Sequence, residues 1–117
     1  MKKILFILML VCSFSSAFAQ NKTQEKKINY FVDAANKEFS LDKAQTKSLL
    51  KARNTYVSEY MAVTKDFKAG TLTQDEKKTK LNVVNGDFNQ SFSDITGKTQ
   101  QELKPFSERM QTELKKV

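Results

Sequence analysis

The longest run of regularly spaced apolar positions in the chain extends from Asp42 to Ala69. Its apolar residues recur at steps of three or four, which is the spacing of one face of an α-helix. The face consists of Leu49, Ala52, Tyr56, Tyr60, Val63 and Phe67. A helix over this segment is about 40 Å long, more than the width of a compact domain of this size. The pattern therefore predicts a spine on which the other segments pack.

Three further stretches have the same helical spacing. They are predicted to run from Glu25 to Glu38, from Thr73 to about Thr96, and from about Thr99 to Lys115. No stretch shows the two-residue alternation of a β-strand. We therefore predict an all-α fold of about four helices.

The stripe of the second helix recurs in the third at a constant offset of 32 residues. Leu49 corresponds to Leu81, and Val63 corresponds to Ile95. Two antiparallel helices that face each other both need such a stripe, so packing explains the repeat about as well as duplication does. The arrangement predicts a long antiparallel helical hairpin with shorter flanking helices. Gly86 lies inside the third stripe, where the helical period continues unbroken.

Two predicted helices begin with a capping box, in which a side chain at the N-cap and one three residues later satisfy each other's backbone N–H groups. Asp42 and Gln45 form the first box, preceded by Leu41. Thr73 and Glu76 form the second, preceded by Leu72. Gly70 is placed to end the second helix in a left-handed conformation.

The last helix has an undecided start. Thr96 and Thr99 both precede it, and Pro105 lies further along. If the helix starts at either threonine, Pro105 falls beyond the first turn and is expected to kink it. Alternatively, Pro105 is itself the first helical residue.

The first 19 residues have the layout of a cleaved signal peptide. Met1-Lys2-Lys3 is basic, Ile4 to Val11 is apolar, and Ala17-Phe18-Ala19 predicts cleavage before Gln20. A retained membrane anchor and a lipid anchor on Cys12 are the alternatives. Cleavage removes 19 of the 117 residues and leaves a single domain of 98 residues, 20–117. Because two lysines leave with the signal peptide, the net charge of the chain falls from +7 to +5. The sequence therefore predicts an exported protein.

The side chains of most catalytic and metal sites are missing from the predicted mature chain. The sequence has no histidine or tryptophan, and Cys12 is its one cysteine. This removes histidine acid–base chemistry, cysteine nucleophiles and most zinc or copper sites. We predict no enzyme activity, no cofactor and no metal site. With two arginines and no recognisable motif, nucleic acid is also not an expected partner.

Charge and apolar surface are the features that remain. The scattered lysines indicate either a solvated, mixed-sign surface or attraction to acidic partners or anionic membranes. The aromatic residues at helical spacing are typical of a core. Long helices in a small chain form a thin layer, however, and four apolar residues lie off the main faces: Leu50, Val57, Met61 and Val83. An apolar strip left uncovered would bind another chain.

The helix starts resemble a known motif. Leu41 to Gln45 reads Leu-Asp-Lys-Ala-Gln, and Leu72 to Glu76 reads Leu-Thr-Gln-Asp-Glu. Together with the export signal, this resembles the Spy/CpxP family of periplasmic proteins, whose mark is a repeated Leu-Thr-x-x-Gln, over about residues 40–110. The chain departs from the motif by Asp42 for Thr and Glu76 for Gln. In a third copy, whose threonine is Thr96, the glutamine stands one residue late, at Gln100.

The resemblance implies an ATP-independent chaperone that acts in envelope stress as a cradle-shaped homodimer and holds unfolded envelope proteins on a basic, partly apolar face. The residues expected to contact clients are Lys47, Lys51, Arg53, Tyr56, Tyr60, Phe88 and Phe92. Relatives in the wider group sense metals through histidine and related ligands, and because this chain has no histidine that role is not expected. The alternative is a non-enzymatic helical adaptor or inhibitor that binds one specific partner in the cell envelope.

Overall fold

The computed structural model describes residues 22–117, which form four α-helices. They are α1 (Lys22–Phe39), α2 (Lys43–Lys68), α3 (Gln74–Thr96) and α4 (Gln100–Leu114). This part of the chain contains no strand, so the predicted all-α fold is confirmed. None of its helices is long and apolar enough to span a membrane. The predicted signal peptide lies outside the described residues.

Helix α1 ends in a left-handed turn at a residue other than glycine. Ser40 has a φ of 52°, and the N–H of Leu41 donates to the carbonyl of Asn36 at 3.3 Å. This turn reverses the chain and buries the side chain of Leu41 immediately before α2 begins. The apolar residue of the first motif copy therefore anchors the start of α2.

Helices α2 and α3 begin as the sequence predicts. The Asp42 carboxylate accepts from the N–H of Gln45 at 2.7 Å, and the Gln45 side chain accepts from the N–H of Asp42 at 3.0 Å. Thr73 and Glu76 repeat this box at 3.1 and 2.9 Å. The bonds to Thr73 favour the ionised Glu76 and lower the pKa of its carboxyl.

The start of α4 differs from the motif-based prediction. Thr96 is the last residue of α3, and its hydroxyl donates to the carbonyl of Phe92 at 2.8 Å, so its prediction as a helix-start cap is wrong. Gly97 follows with a φ of 70°, and Thr99 then caps α4 in a full box with Glu102. Pro105 lies inside α4, so the helix does not begin there.

Helices α2 and α3 form the predicted antiparallel hairpin. Near its turn the ammonium of Lys77 lies 4.4 Å from the ring centroid of Phe67. In its middle the rings of Tyr56 and Phe88 are 5.2 Å apart. At its open end the Gln45 amide donates to the carbonyl of Ile95 at 2.9 Å. Gln45 therefore both caps α2 and ties its start to the end of α3.

The core lies toward the open end of the hairpin, where α1 and α4 pack onto it. Phe31 of α1 is 2% exposed and contacts the rings of Phe88, Phe92 and Phe106 at centroid distances of 5.3–5.6 Å. Edge-to-face and tilted contacts of this kind stabilise beyond the area they bury. The aromatic residues thus join α1, α3 and α4. The buried apolar residues of the hairpin nearer its turn, Val63 and Val84, lie outside this core.

Candidate functional site

A groove runs between α2 and α3, and it has a volume of about 390 Å³. None of its lining residues belongs to α1 or α4. From α2 it is lined by Ser48, Lys51, Ala52, Thr55, Tyr56 and Glu59. From α3 it is lined by Val84, Asp87, Phe88, Ser91, Asp94 and Ile95. We call this feature the hairpin groove.

The apolar part of the hairpin groove comes from the facing stripes of the two helices. Tyr56 is half-buried, and burial raises the pKa of its phenol. Tyr60 stands one turn further along α2, with its ring 5.9 Å from that of Tyr56, and it is 40% exposed. Apolar surface thus continues from the groove onto an accessible aromatic side chain, as a protein-binding surface requires.

The structure places the sequence-predicted client contacts in different environments. Lys51, Tyr56 and Phe88 line the hairpin groove, whereas Lys47 is exposed outside its lining, and Tyr60 lies beside it. Phe88 and Phe92 are buried, at only 6% and 1% exposed, and their contact with clients stays a prediction. Both pack in the core against Phe31 of α1, and Phe88 also contacts Tyr56 at the hairpin groove.

Arg53 is also placed differently from the prediction that it attracts clients. Its guanidinium carbon lies 4.0, 4.5 and 4.9 Å from the ring centroids of Phe31, Tyr56 and Phe88. Burial lowers its pKa to about 10. In the described chain both ion pairs involve Arg109 instead, with Glu38 and Glu113 as partners. Arg53 therefore works as a cation–π contact between three helices.

Sequence reasoning missed the carboxylates of the hairpin groove. Glu59, Asp87 and Asp94 line it together with the single ammonium of Lys51. In the sequence these acids look like ordinary solvated residues of a polar helix face. The sequence did contain a signal, because each acid lies close to an apolar stripe position. Glu59 is three residues after Tyr56. The two aspartates directly precede Phe88 and Ile95. Pairing the two stripes in antiparallel register would have brought the acids to one groove.

The four apolar residues predicted to need cover have different environments. Leu50 is 37% exposed and Val83 is 58% exposed. Val57 packs against the core, and Met61 is half-buried. Of the four residues, Leu50 and Val83 are therefore the ones left exposed.

The described residues contain no group of three carboxylate, histidine or cysteine side chains that could hold a metal ion. The fold and groove define the class: a small helical protein whose hairpin presents a polar-rimmed, apolar-floored surface. Comparison with protein families, curated proteins and solved structures finds no match. The likeness to the Spy/CpxP family thus rests on the residues quoted for it.

Proposed function

We propose that this protein is an ATP-independent chaperone of the periplasm, which binds unfolded or misfolded envelope proteins along its helical hairpin. The hairpin groove carries this proposal. It offers apolar atoms of Ala52, Tyr56 and Ile95 inside a polar rim, on a face that α1 and α4 do not line. Apolar surface rimmed by polar residues is typical of a protein-interaction site, and here it would serve clients of unrelated sequence.

Export and self-association belong to the same proposal. A cleaved signal peptide at residues 1–19 would deliver the chain to the periplasm. A homodimer would join two hairpins into a longer binding surface, and multivalent contact would raise the affinity for an extended client. The second candidate is an adaptor or inhibitor for one envelope partner, which the same groove could serve if it fits a single segment.

The range of clients that the protein protects distinguishes the chaperone from the adaptor. The purified protein is mixed without ATP at about equal molar ratio with several chemically denatured clients, and aggregation is followed by light scattering at low salt. If the protein is a chaperone, we expect light scattering to rise more slowly and to a lower level for clients of unrelated sequence. Unchanged scattering for all of them rejects it. Protection of one client alone favours the adaptor.

A pair of tyrosine variants locates the activity. Tyr60→Ala removes the exposed ring beside the groove. Tyr30→Ala removes a similarly exposed tyrosine on α1, whose hydroxyl donates to the Glu113 carboxylate. We expect Tyr60→Ala to require about threefold more protein for equal protection, corresponding to loss of one weak aromatic contact. Tyr30→Ala should protect like the unchanged protein. An equal loss in both variants would show that the groove is not the binding surface.

A further inference from the structure

The charge of the hairpin groove is opposite to that of the whole chain. Its lining has three carboxylates and one ammonium, whereas the full sequence has a net charge of +7. Glu59 lies on α2, and Asp87 and Asp94 stand two turns apart on α3, which is about 10 Å along the helix axis. The hairpin groove is therefore a local region of negative charge on a basic protein.

None of these carboxylates forms an ion pair within the described residues. Both ion pairs found there involve Arg109, and neither includes a groove residue. Asp94 accepts a hydrogen bond from the amide of Gln90 at 3.0 Å, which leaves its charge in place. All three side chains belong to exposed residues. Their charges are thus available to a ligand.

The spacing of the three carboxylates along the groove indicates which kind of ligand it fits. They do not converge into a group that could hold a metal ion. They stand instead along a groove floored by Ala52, Tyr56 and Val84. A ligand that satisfies both features is extended, carries several separated positive charges and has apolar groups between them. A polypeptide segment with lysine or arginine among apolar residues meets this description.

We propose that the hairpin groove preferentially binds basic, partly apolar polypeptide segments. This rests on the proposed function and names the client class for it. Cationic side chains of the client pair with Glu59, Asp87 and Asp94, and the apolar side chains between them pack over Tyr56. Long lysine and arginine side chains suit the rim, because their methylene stems also cover apolar surface.

Three labelled peptides test this preference. They share one length and one set of apolar residues, and they differ only in carrying several lysines, several glutamates or serines at the variable positions. Binding is measured by fluorescence anisotropy at low and at near-physiological salt. We expect the lysine peptide to bind about tenfold more tightly than the glutamate peptide at low salt, with a smaller ratio as salt screens the charges. Net charge alone predicts the reverse order.

A matched pair of triple variants assigns the preference to the groove. Glu59→Gln/Asp87→Asn/Asp94→Asn removes the groove carboxylates, and Glu25→Gln/Asp33→Asn/Glu108→Gln removes three exposed carboxylates from α1 and α4. Both change the net charge equally. We expect the groove variant alone to lose the lysine preference, with unfolding midpoints like that of the unchanged protein because all six sites are exposed.

The outcomes are decisive in either direction. Equal affinity for all peptides, tighter binding of the glutamate peptide, or equal loss in both variants overturns the proposal. If a second copy of the chain fills the groove, none of the peptides binds, and this also overturns it. Failure here is distinguishable from failure of the chaperone function: a protein that suppresses aggregation of acidic and basic clients alike retains the function without the preference.

Discussion

Replacing Phe31 with alanine is expected to lower the free energy of unfolding by about 3–5 kcal/mol. Phe31 is 2% exposed, and its ring contacts three other phenylalanines as well as the guanidinium of Arg53. Its removal leaves a cavity where all four helices meet. Urea unfolding followed by helical circular dichroism measures the change.

Two further variants make the Phe31 prediction decisive. Small domains have only about 5–15 kcal/mol of stability, so Phe31→Leu, which keeps most of the volume, guards against complete unfolding of the alanine variant. Phe31→Leu should cost about 1 kcal/mol, because it loses the aromatic contacts but fills the site. Val83→Ala, at a residue 58% exposed, should change stability by at most about 0.5 kcal/mol. A loss below about 1 kcal/mol for Phe31→Ala would contradict the described core.

Replacing Arg53 with alanine is expected to cost about 2 kcal/mol of stability, because the variant loses both the stacked guanidinium and the packed side-chain stem. The three rings lie 4.0–4.9 Å from the guanidinium carbon. Arg53→Lys should recover less than half of the loss, since an ammonium lacks the planar faces that stack on rings. Thermal and urea unfolding of both variants check this.

The same variants separate a structural role of Arg53 from client attraction. If Arg53 has a structural role, the Arg53→Ala variant is less stable than the unchanged protein. Under conditions where the variant remains folded, it then binds clients with nearly unchanged affinity. A variant of unchanged stability with clearly weaker client binding would contradict the stacking role. It would restore the interpretation that the sequence alone suggests.

The fold was predictable because its signals are local. Helical spacing, the capping boxes at Asp42 and Thr73, and the left-handed Gly70 depend only on neighbouring residues. The hairpin followed from the two matching stripes. The start of α4 was predicted less well, because the motif placed the cap at Thr96 although Thr99 and Glu102 form an equally good box three residues later.

The site was predicted less completely because it depends on which helix covers which face. Phe88 and Phe92 occupy the same kind of stripe position as Tyr56 and Tyr60, and spacing cannot distinguish them. The difference arises when α1 and α4 pack near the open end of the hairpin, burying Phe88 and Phe92 and leaving Tyr60 exposed. The placement of Arg53 over Phe31 likewise depends on α1, which no local pattern encodes.

Site-specific crosslinking tests the central claim, that clients bind in the hairpin groove. A photoreactive residue is placed at Thr55, in the groove, or at Thr112, on α4 outside it. The sites are matched, since each threonine is exposed and its hydroxyl donates to the carbonyl four residues earlier. We predict that denatured clients crosslink strongly from position 55 and at background level from position 112. Equal crosslinking from both positions, or stronger crosslinking from position 112, would contradict the claim.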